Sequence, residues 1–283
     1  MRAGPWLARG IGLCLGAILV WQAVAEAIEP YYTRPLLSLL RARPSPVEVS
    51  AVGATLLRAY ADSRPHVGKI TGLQKGLVWV ADGVELVEEG YGLGCPLLLV
   101  DGLAYASRSA VVSSSTDGDG QYIVKRFSMD TVDTPISLLR RKYRPVPTIG
   151  DVVFRYGLSS PGTIDVHVDL SGISAPWQRA YLMNEQGAHR FTSYWDSDGL
   201  ALSADELSIW RSTSAQEGCF RSRDARLSFC VRRGESGSLY HGRERYLQYN
   251  WRGVFYLSWS GVDIEIEAPR TSYRYEITLE SRP

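Results

Sequence analysis

Residues 262–268 read VDIEIEA, with Val262, Ile264 and Ile266 alternating with Asp263, Glu265 and Glu267. A period of two places the three apolar side chains on one face of a strand and the three carboxylates on the other. The expectation is an antiparallel sheet with one face in a core and one face in water. The same period runs through GVFYLSWSG before this stretch and SYRYEITLE after it.

Upstream, GLVWVADGVELVEEG and CPLLLVDGLAYASRSAVV each hold two short alternating runs, joined at Asp82-Gly83 and at Asp101-Gly102. Asp-Gly between such runs is a strong hairpin signal. The segments STDGDGQYIVKRFSM, GDVVFRYG, TIDVHVDLSG, RAYLMN and HRFTSYWDSDG continue the series. So many short strands separated by turn residues predict a mainly β fold, an antiparallel sandwich or open barrel.

Two stretches depart from that period. In PVEVSAVGATLLRAYAD (residues 46–62), Val49, Val52, Leu56, Leu57 and Tyr60 fall at helical spacing, with Ser45 as a cap and Pro46 as the first helical residue. In residues 133–144, Asp133-Thr134-Pro135 reads as a helix start, Leu138 and Leu139 follow, and RRKYR closes the segment before Pro145 and Pro147. One or two short helices are therefore expected. The second, with the proline-rich stretch after it, is a candidate subdivision near residues 133–147, separating either two domains or two halves of one sandwich.

The N-terminus has a different character. Arg2 and Arg9 precede an uncharged run from Gly10 to Ala25, and Glu26 and Glu29 follow. A basic flank before an apolar run orients the N-terminus inside. With Arg9 snorkelling to the head groups, residues 4–28 form a helix of about 25 residues, enough to cross a hydrocarbon layer of ~30 Å. Trp21 then lies near the outer interface and Pro30 stops the helix. Ala23-Val24-Ala25 also fits a small-x-small cleavage site, which would make the segment a removable signal. Residues 1–30 are thus an anchor or a signal, residues 31–66 a short helical linker, and residues 67–283 a β-rich domain. Both alternatives place that domain outside the cytoplasmic membrane, in the periplasm or at the cell surface.

The cysteines bear on the same question. Cys219 and Cys230 bracket CFRSRDARLSFC, a hairpin pattern with its turn at Ser222-Arg223-Asp224. Such a pair can meet as a disulfide in an oxidising compartment. No CxxC motif or Cys/His cluster is present, which argues against a structural zinc site. Charge is nearly balanced, 31 basic against 30 acidic residues. A nucleic-acid partner is therefore not expected, because phosphate binding calls for a basic surplus.

Several arrangements are candidate sites. Asp165, His167 and Asp169 share one face of TIDVHVDLSG, about 6–7 Å apart by strand geometry, as metal ligands or a general base would, with His189 or His241 completing the set. The same pattern describes an ordinary solvent-facing strand. Asp196, Asp198 and Gly199 in WDSDG have calcium-loop alternation, but Tyr194 occupies the first position, where a carboxylate belongs. Trp195, Trp210, Tyr249, Trp251, Arg252 and Trp259 are candidate binding residues, because exposed Tyr, Trp and Arg stack on sugar rings or anchor protein interfaces. Glu185, Glu244 and Asp263 are available as paired carboxylates for glycoside chemistry. No nucleophile elbow, phosphate loop or dinucleotide glycine pattern occurs, and Cys95 in CPLLLV reads as a buried thiol. No cofactor is expected.

The expected function is a non-catalytic accessory or interaction subunit, held in the lipid bilayer by residues 4–28 and docked to a protein partner in a larger membrane complex. The alternative is an exported carbohydrate-binding or carbohydrate-active protein. A metal-dependent hydrolase built on Asp165, His167 and Asp169 is a third possibility.

Overall fold

The computed structural model describes residues 46–52, 55–61, 72–88, 90–117, 120–137, 140–208, 210–250 and 253–282. In chain order the strands are β1 (Val47–Val52), β2 (Thr55–Ala59), β3 (Val78–Ala81), β4 (Val84–Glu85), β5 (Gly92–Val100), β6 (Leu103–Ala106) and β7 (Ser109–Asp117). Next come β8 (Gly120–Ser128), β9 (Thr131–Ser137), β10 (Arg140–Pro145), β11 (Asp151–Ser160), β12 (Thr163–Asp169), β13 (Trp177–Gln186) and β14 (Phe191–Asp196). The chain closes with β15 (Ala201–Leu202), β16 (Arg211–Thr213), β17 (Glu217–Ser222), β18 (Leu227–Arg232), β19 (Ser238–Asn250), β20 (Gly253–Glu267) and β21 (Ser272–Ser281).

Two large antiparallel sheets make a sandwich. One has eight strands in the order β10-β9-β6-β5-β13-β20-β19-β16, and the other nine in the order β15-β14-β17-β18-β21-β12-β11-β8-β7. A smaller sheet, β1-β2-β3-β4, completes the described architecture. Both large sheets contain strands from before and from after residues 133–147. The hairpin turns sit where Asp-Gly predicts them. Asp82 and Gly83 have φ of 51° and 74°, and Asp101 and Gly102 have 49° and 76°, the paired positive φ of a tight hairpin turn.

The core is the space between the two large sheets. Ala180, Leu182, Val262, Ile264 and Ile266 come from the eight-stranded sheet, and Phe154, Tyr156, Val166, Val168, Phe229, Val231 and Ile277 from the nine-stranded one. These side chains belong to one continuous buried cluster, and each large apolar side chain removed from water contributes about 1.5–3 kcal/mol. Phe127 and Phe154 meet edge to face at 5.5 Å, as do Phe191 and Phe229 at 5.1 Å. Tyr156 crosses between the layers, its hydroxyl donating to Gly94 O at 2.6 Å. Gly94 is the extra residue of a bulge on β5, where the register with β13 shifts between Met183 and Asn184. At φ +73°, with the Tyr156 ring 2.7 Å from where a Cβ would stand, the position calls for glycine.

Three expectations are corrected. Residues 46–62 hold β1 and β2, not a helix, and Val49 pairs with Leu57 across the hairpin. The apolar run there is short and rich in β-branched valine, so sheet pairing overrides the helical spacing. The described part of residues 133–144 falls on β9 and β10, also without a helix, and Leu138 and Leu139 lie outside the described residues. Asp133 pairs with Ala104 of β6, while Pro135 lies beyond that pairing and beside the register shift at Arg140/Arg141. Proline is tolerated beside such a bulge, here opposite Arg141. Third, the carboxylate face of β20 is not a wet face: Asp263 is 2% exposed and Glu265 8%.

No helix of the described residues is long and apolar enough to cross a membrane. The expected anchor at residues 4–28 and most of the linker lie outside the described residues. Cys219 and Cys230 pair directly across β17 and β18, 4.0 Å apart at Cα, and form the disulfide.

Candidate functional site

The alternation of β20 that sends Val262, Ile264 and Ile266 into the core sends Trp259, Gly261, Asp263, Glu265 and Glu267 to the opposite face of the eight-stranded sheet. Unbroken register with β13 sets Glu185 against Gly261, Tyr181 against Glu265 and Arg179 against Glu267. On the other side β19 contributes Glu244, whose Oε2 accepts from Trp259 Nε1 at 2.8 Å. Trp210, just ahead of β16, stacks on Trp259 with ring centroids 4.3 Å apart and 20° between planes. It packs against Gly242, where a Cβ would come within 2.7 Å of Trp210 N. One sheet face therefore gathers two stacked tryptophans, Tyr181 and five carboxylates.

The carboxylates divide by depth. Glu185 is 1% exposed and lies beneath the loop at Gly90-Tyr91. The Tyr91 N–H donates to Glu185 Oε2 at 2.8 Å, and a Cβ at Gly90 would stand 3.0 Å from Glu185 Cβ. Burial pushes the Glu185 carboxyl up to about 8, against the pull of the Tyr91 N–H and the nearby Lys75 ammonium. Asp263 is pushed up as well, by burial first and then by Glu185, although its Oδ1 accepts from Asn184 N at 2.7 Å. Asn184 ties this layer to the core: its Oδ1 accepts from Gly94 N at 3.0 Å and from the Tyr275 hydroxyl at 3.2 Å. Lys75 donates to the Glu88 carbonyl, and the Glu88 carboxylate in turn holds His189 Nδ1 at 2.6 Å.

Glu244, Trp210 and Trp259 are only partly covered. Glu244 is pushed up by burial and held back by the Trp259 N–H. Further along, the Glu265 carboxylate faces Arg179 Nη1 at 3.6 Å and takes the phenols of Tyr181 and Tyr240 as hydrogen-bond partners. Chemically, the face offers an aromatic platform, a rim of hydrogen-bond acceptors and a floor of carboxyl groups held toward their neutral form.

The other residues singled out in the sequence lie elsewhere. Trp195 projects from the outer face of the nine-stranded sheet, with the Arg221 guanidinium 4.6 Å over its ring. Tyr249 belongs to β19, but its side chain, like Trp251 and Arg252, lies outside the described residues. Asp165, His167 and Asp169 share the outer face of β12. His167 has Arg155 and Arg274 as cross-strand neighbours, and burial followed by Arg274 pushes its pKa down. Asp169 Oδ1 accepts from Ser171 N at 2.8 Å. His189 is engaged by Glu88, and His241 stacks on Tyr194 at 4.0 Å. Among the described residues, ligand atoms converge within 4.8 Å at Glu217, Cys219 and Cys230, whose two sulfurs are already joined. The WDSDG stretch is a tight turn in which Asp196 Oδ1 accepts from Asp198 N and Leu200 N at 3.0 and 3.1 Å.

Nothing in the local sequence marks Lys75, Asn184, Tyr181 or Tyr240 as site residues. Pairing β13 between β5 and β20 is what brings Asn184 and Tyr181 to the site, and strand order is not written in any one segment.

No known protein family matches the chain, and no characterised protein matches it in sequence. Solved structures with a similar arrangement include a heparan sulfate lyase HepC mutant from Pedobacter heparinus, at TM-score 0.47 and 9% identity over 85% of this chain and 37% of that one. A heparinase III aligns at TM-score 0.46 and 10% identity over 84% of this chain and 36% of that one. A GalM/aldose epimerase homologue from C. elegans aligns at TM-score 0.44 and 9% identity, over 86% of this chain and all of that one. The chain thus spans little more than a third of the first two of these structures. The similarity is weak, with each TM-score below 0.5. What the face can do follows from its own residues.

Proposed function

We propose that the protein binds carbohydrate on the outer face of its eight-stranded sheet, as an exported domain held near the membrane by residues 4–28. The observation that carries this is the stacked Trp210–Trp259 pair beside Glu244, on the same face as Glu185, Asp263 and Glu265. Sugar rings present apolar C–H faces and a rim of hydroxyls. Indoles match the first and carboxylates the second, which is the usual division of a small-ligand site into apolar lining and a few polar contacts. The interaction-subunit reading draws on the N-terminal anchor, the lack of catalytic motifs and the abundance of Tyr, Trp and Arg. At this pair the polar partner is a carboxylate, which favours a hydroxylated ligand over a protein hot spot.

The role is binding rather than hydrolysis. Glu185 and Asp263, the deepest carboxyls, are 1% and 2% exposed and act as floor and support. A general acid has to come within hydrogen-bond reach of the glycosidic oxygen. The Cys219–Cys230 disulfide supports an oxidising compartment outside the cytoplasm. Glycan-array binding of the intact protein and of Trp210→Ala tests the proposal. Binding by the intact protein that disappears in the variant is expected, and equal signals from both would contradict it.

A further inference from the structure

A groove lies at one end of the sandwich, where two connections cross between the large sheets. Residues 170–176 lead from β12 of the nine-stranded sheet to β13 of the eight-stranded one, and residues 268–271 lead from β20 back to β21. The groove is about 320 Å³ and is walled by Leu170, Ile173, Pro176, Trp177 and Pro269, with Arg270 beside them. Leu170 is 2% exposed, and Ile173 and Trp177 pack against the core with part of each left uncovered. An apolar lining with few polar groups is the usual make-up of a small-ligand site. We propose that this groove, distinct from the Trp210–Trp259 pair, binds a small apolar carboxylate, an aryl or acyl acid, with its hydrocarbon part against Trp177 and Pro269 and its carboxylate on Arg270.

The walls are tied down by backbone hydrogen bonds. Leu170 N donates to Thr271 O at 2.7 Å, joining the two connections, and Ala268 N donates to Gln178 O of β13 at 3.1 Å. Ser174 donates twice to Ile149 O, from N at 2.9 Å and from Oγ at 2.8 Å. At Gly150, φ +128°, a Cβ would come 2.0 Å from Gly172 O, so glycine is what lets the first connection lie against the backbone there. A groove fixed in this way costs a ligand little ordering of the protein.

Charge selects the head group. No Asp or Glu lines the groove. The Arg270 guanidinium lies 5.8 Å over the Tyr273 ring, and among the described residues it has no carboxylate at ion-pair distance. Glu265 and Glu267, which line the adjoining recess with it, face Arg179 instead, at 3.6 and 3.9 Å. A guanidinium offers a carboxylate two parallel N–H donors. A sugar in this groove would set its hydroxyls against apolar walls without partners, which is costly.

The test is calorimetric titration of the full chain with 3-phenylpropionate, its neutral amide and acetate. The acid is expected to bind about tenfold tighter than the amide, through the charged head group, and to lose affinity at raised salt. Acetate, with almost no apolar part, should give no measurable binding. Arg270→Gln should bring the acid down to the affinity of the amide. Trp177→Ala should weaken acid and amide alike; should far-UV circular dichroism show it unfolded, Trp177→Leu, which keeps apolar bulk and removes the indole, makes the same test. Equal affinity for acid and amide, or native affinity for the acid in Arg270→Gln, would overturn the assignment of the carboxylate to Arg270. Native affinity in the Trp177 variant, or acetate binding as tightly as the aryl acid, would show that the apolar walls are not used and overturn the site. No binding of the acid at all would overturn the inference and leave the sugar-binding reading untouched.

Discussion

Trp210 and Trp259 stack with ring centroids 4.3 Å apart, although 48 residues separate them in the chain (259 − 210 − 1), and Glu244 fixes the second ring through its N–H. Two indoles this close couple their electronic transitions. A circular dichroism couplet in the tryptophan region is expected from the native protein and should vanish in both Trp210→Phe and Trp259→Phe. The stacking itself contributes about 0.5–1.5 kcal/mol beyond area burial. A couplet that survives in either variant would mean that the pair is not formed.

Glu185 makes stability depend on pH. Its carboxyl, near 4.5 when unfolded, is pushed up to about 8 by burial. Between those values the folded protein holds a proton that the unfolded chain has released, so stability is greatest below pH 4.5 and falls as pH rises toward 8. The slope reaches about 1.4 kcal/mol per pH unit. Urea midpoints measured across this range should fall for the native protein and stay flatter for Glu185→Gln. A native profile that rises with pH here would contradict the burial of Glu185.

Lys125 acts with the opposite sign. It is 1% exposed, its ammonium donates to Tyr60 O at 2.8 Å and Lys75 O at 2.6 Å, and burial pushes its pKa from 10.5 down to about 7. Between pH 7 and 10.5 the unfolded chain binds the extra proton, so this group adds stability as pH rises through that window and removes it as pH falls back to 7. Lys125→Met should abolish the rise. Its absolute stability is a separate matter, because two carbonyls lose a donor. An unchanged alkaline rise in the variant would show that Lys125 is not its source.

The Cys219–Cys230 link closes a hairpin of about a dozen residues, and the chain-entropy estimate for such a loop is about 3 kcal/mol. Cys219→Ala/Cys230→Ala, or reduction under native conditions, should lower the urea midpoint accordingly without changing the far-UV spectrum. A free-thiol assay finding three accessible thiols beside Cys14 in the unfolded, unreduced protein would rule out the disulfide.

The fold was legible where local chemistry decides it. Asp-Gly marked two hairpin turns, alternation marked β12, β20 and β21, and the spacing of Cys219 and Cys230 across a turn marked their pairing. Residues 46–62 and 133–144 misled because short apolar runs fit both periods and only the neighbouring strands break the tie. The site was half legible. Trp210, Trp259, Glu185, Glu244 and Asp263 were each visible as residue types, but Trp195 looked equally eligible and faces the other side of the sandwich. Alternation showed which side chains of β20 share a face. It could not show that Asp263 and Glu265 are covered, because that depends on what β13 and β19 place beside them.

The most direct test follows the tryptophan indole N–H resonances by nuclear magnetic resonance while a glycan that the array selects is titrated in. Trp210 and Trp259 should shift together and saturably, with Trp195, on the outer face of the other sheet, left in place. Shifts centred on Trp195 with the stacked pair unmoved would put the ligand on the wrong sheet and contradict the account.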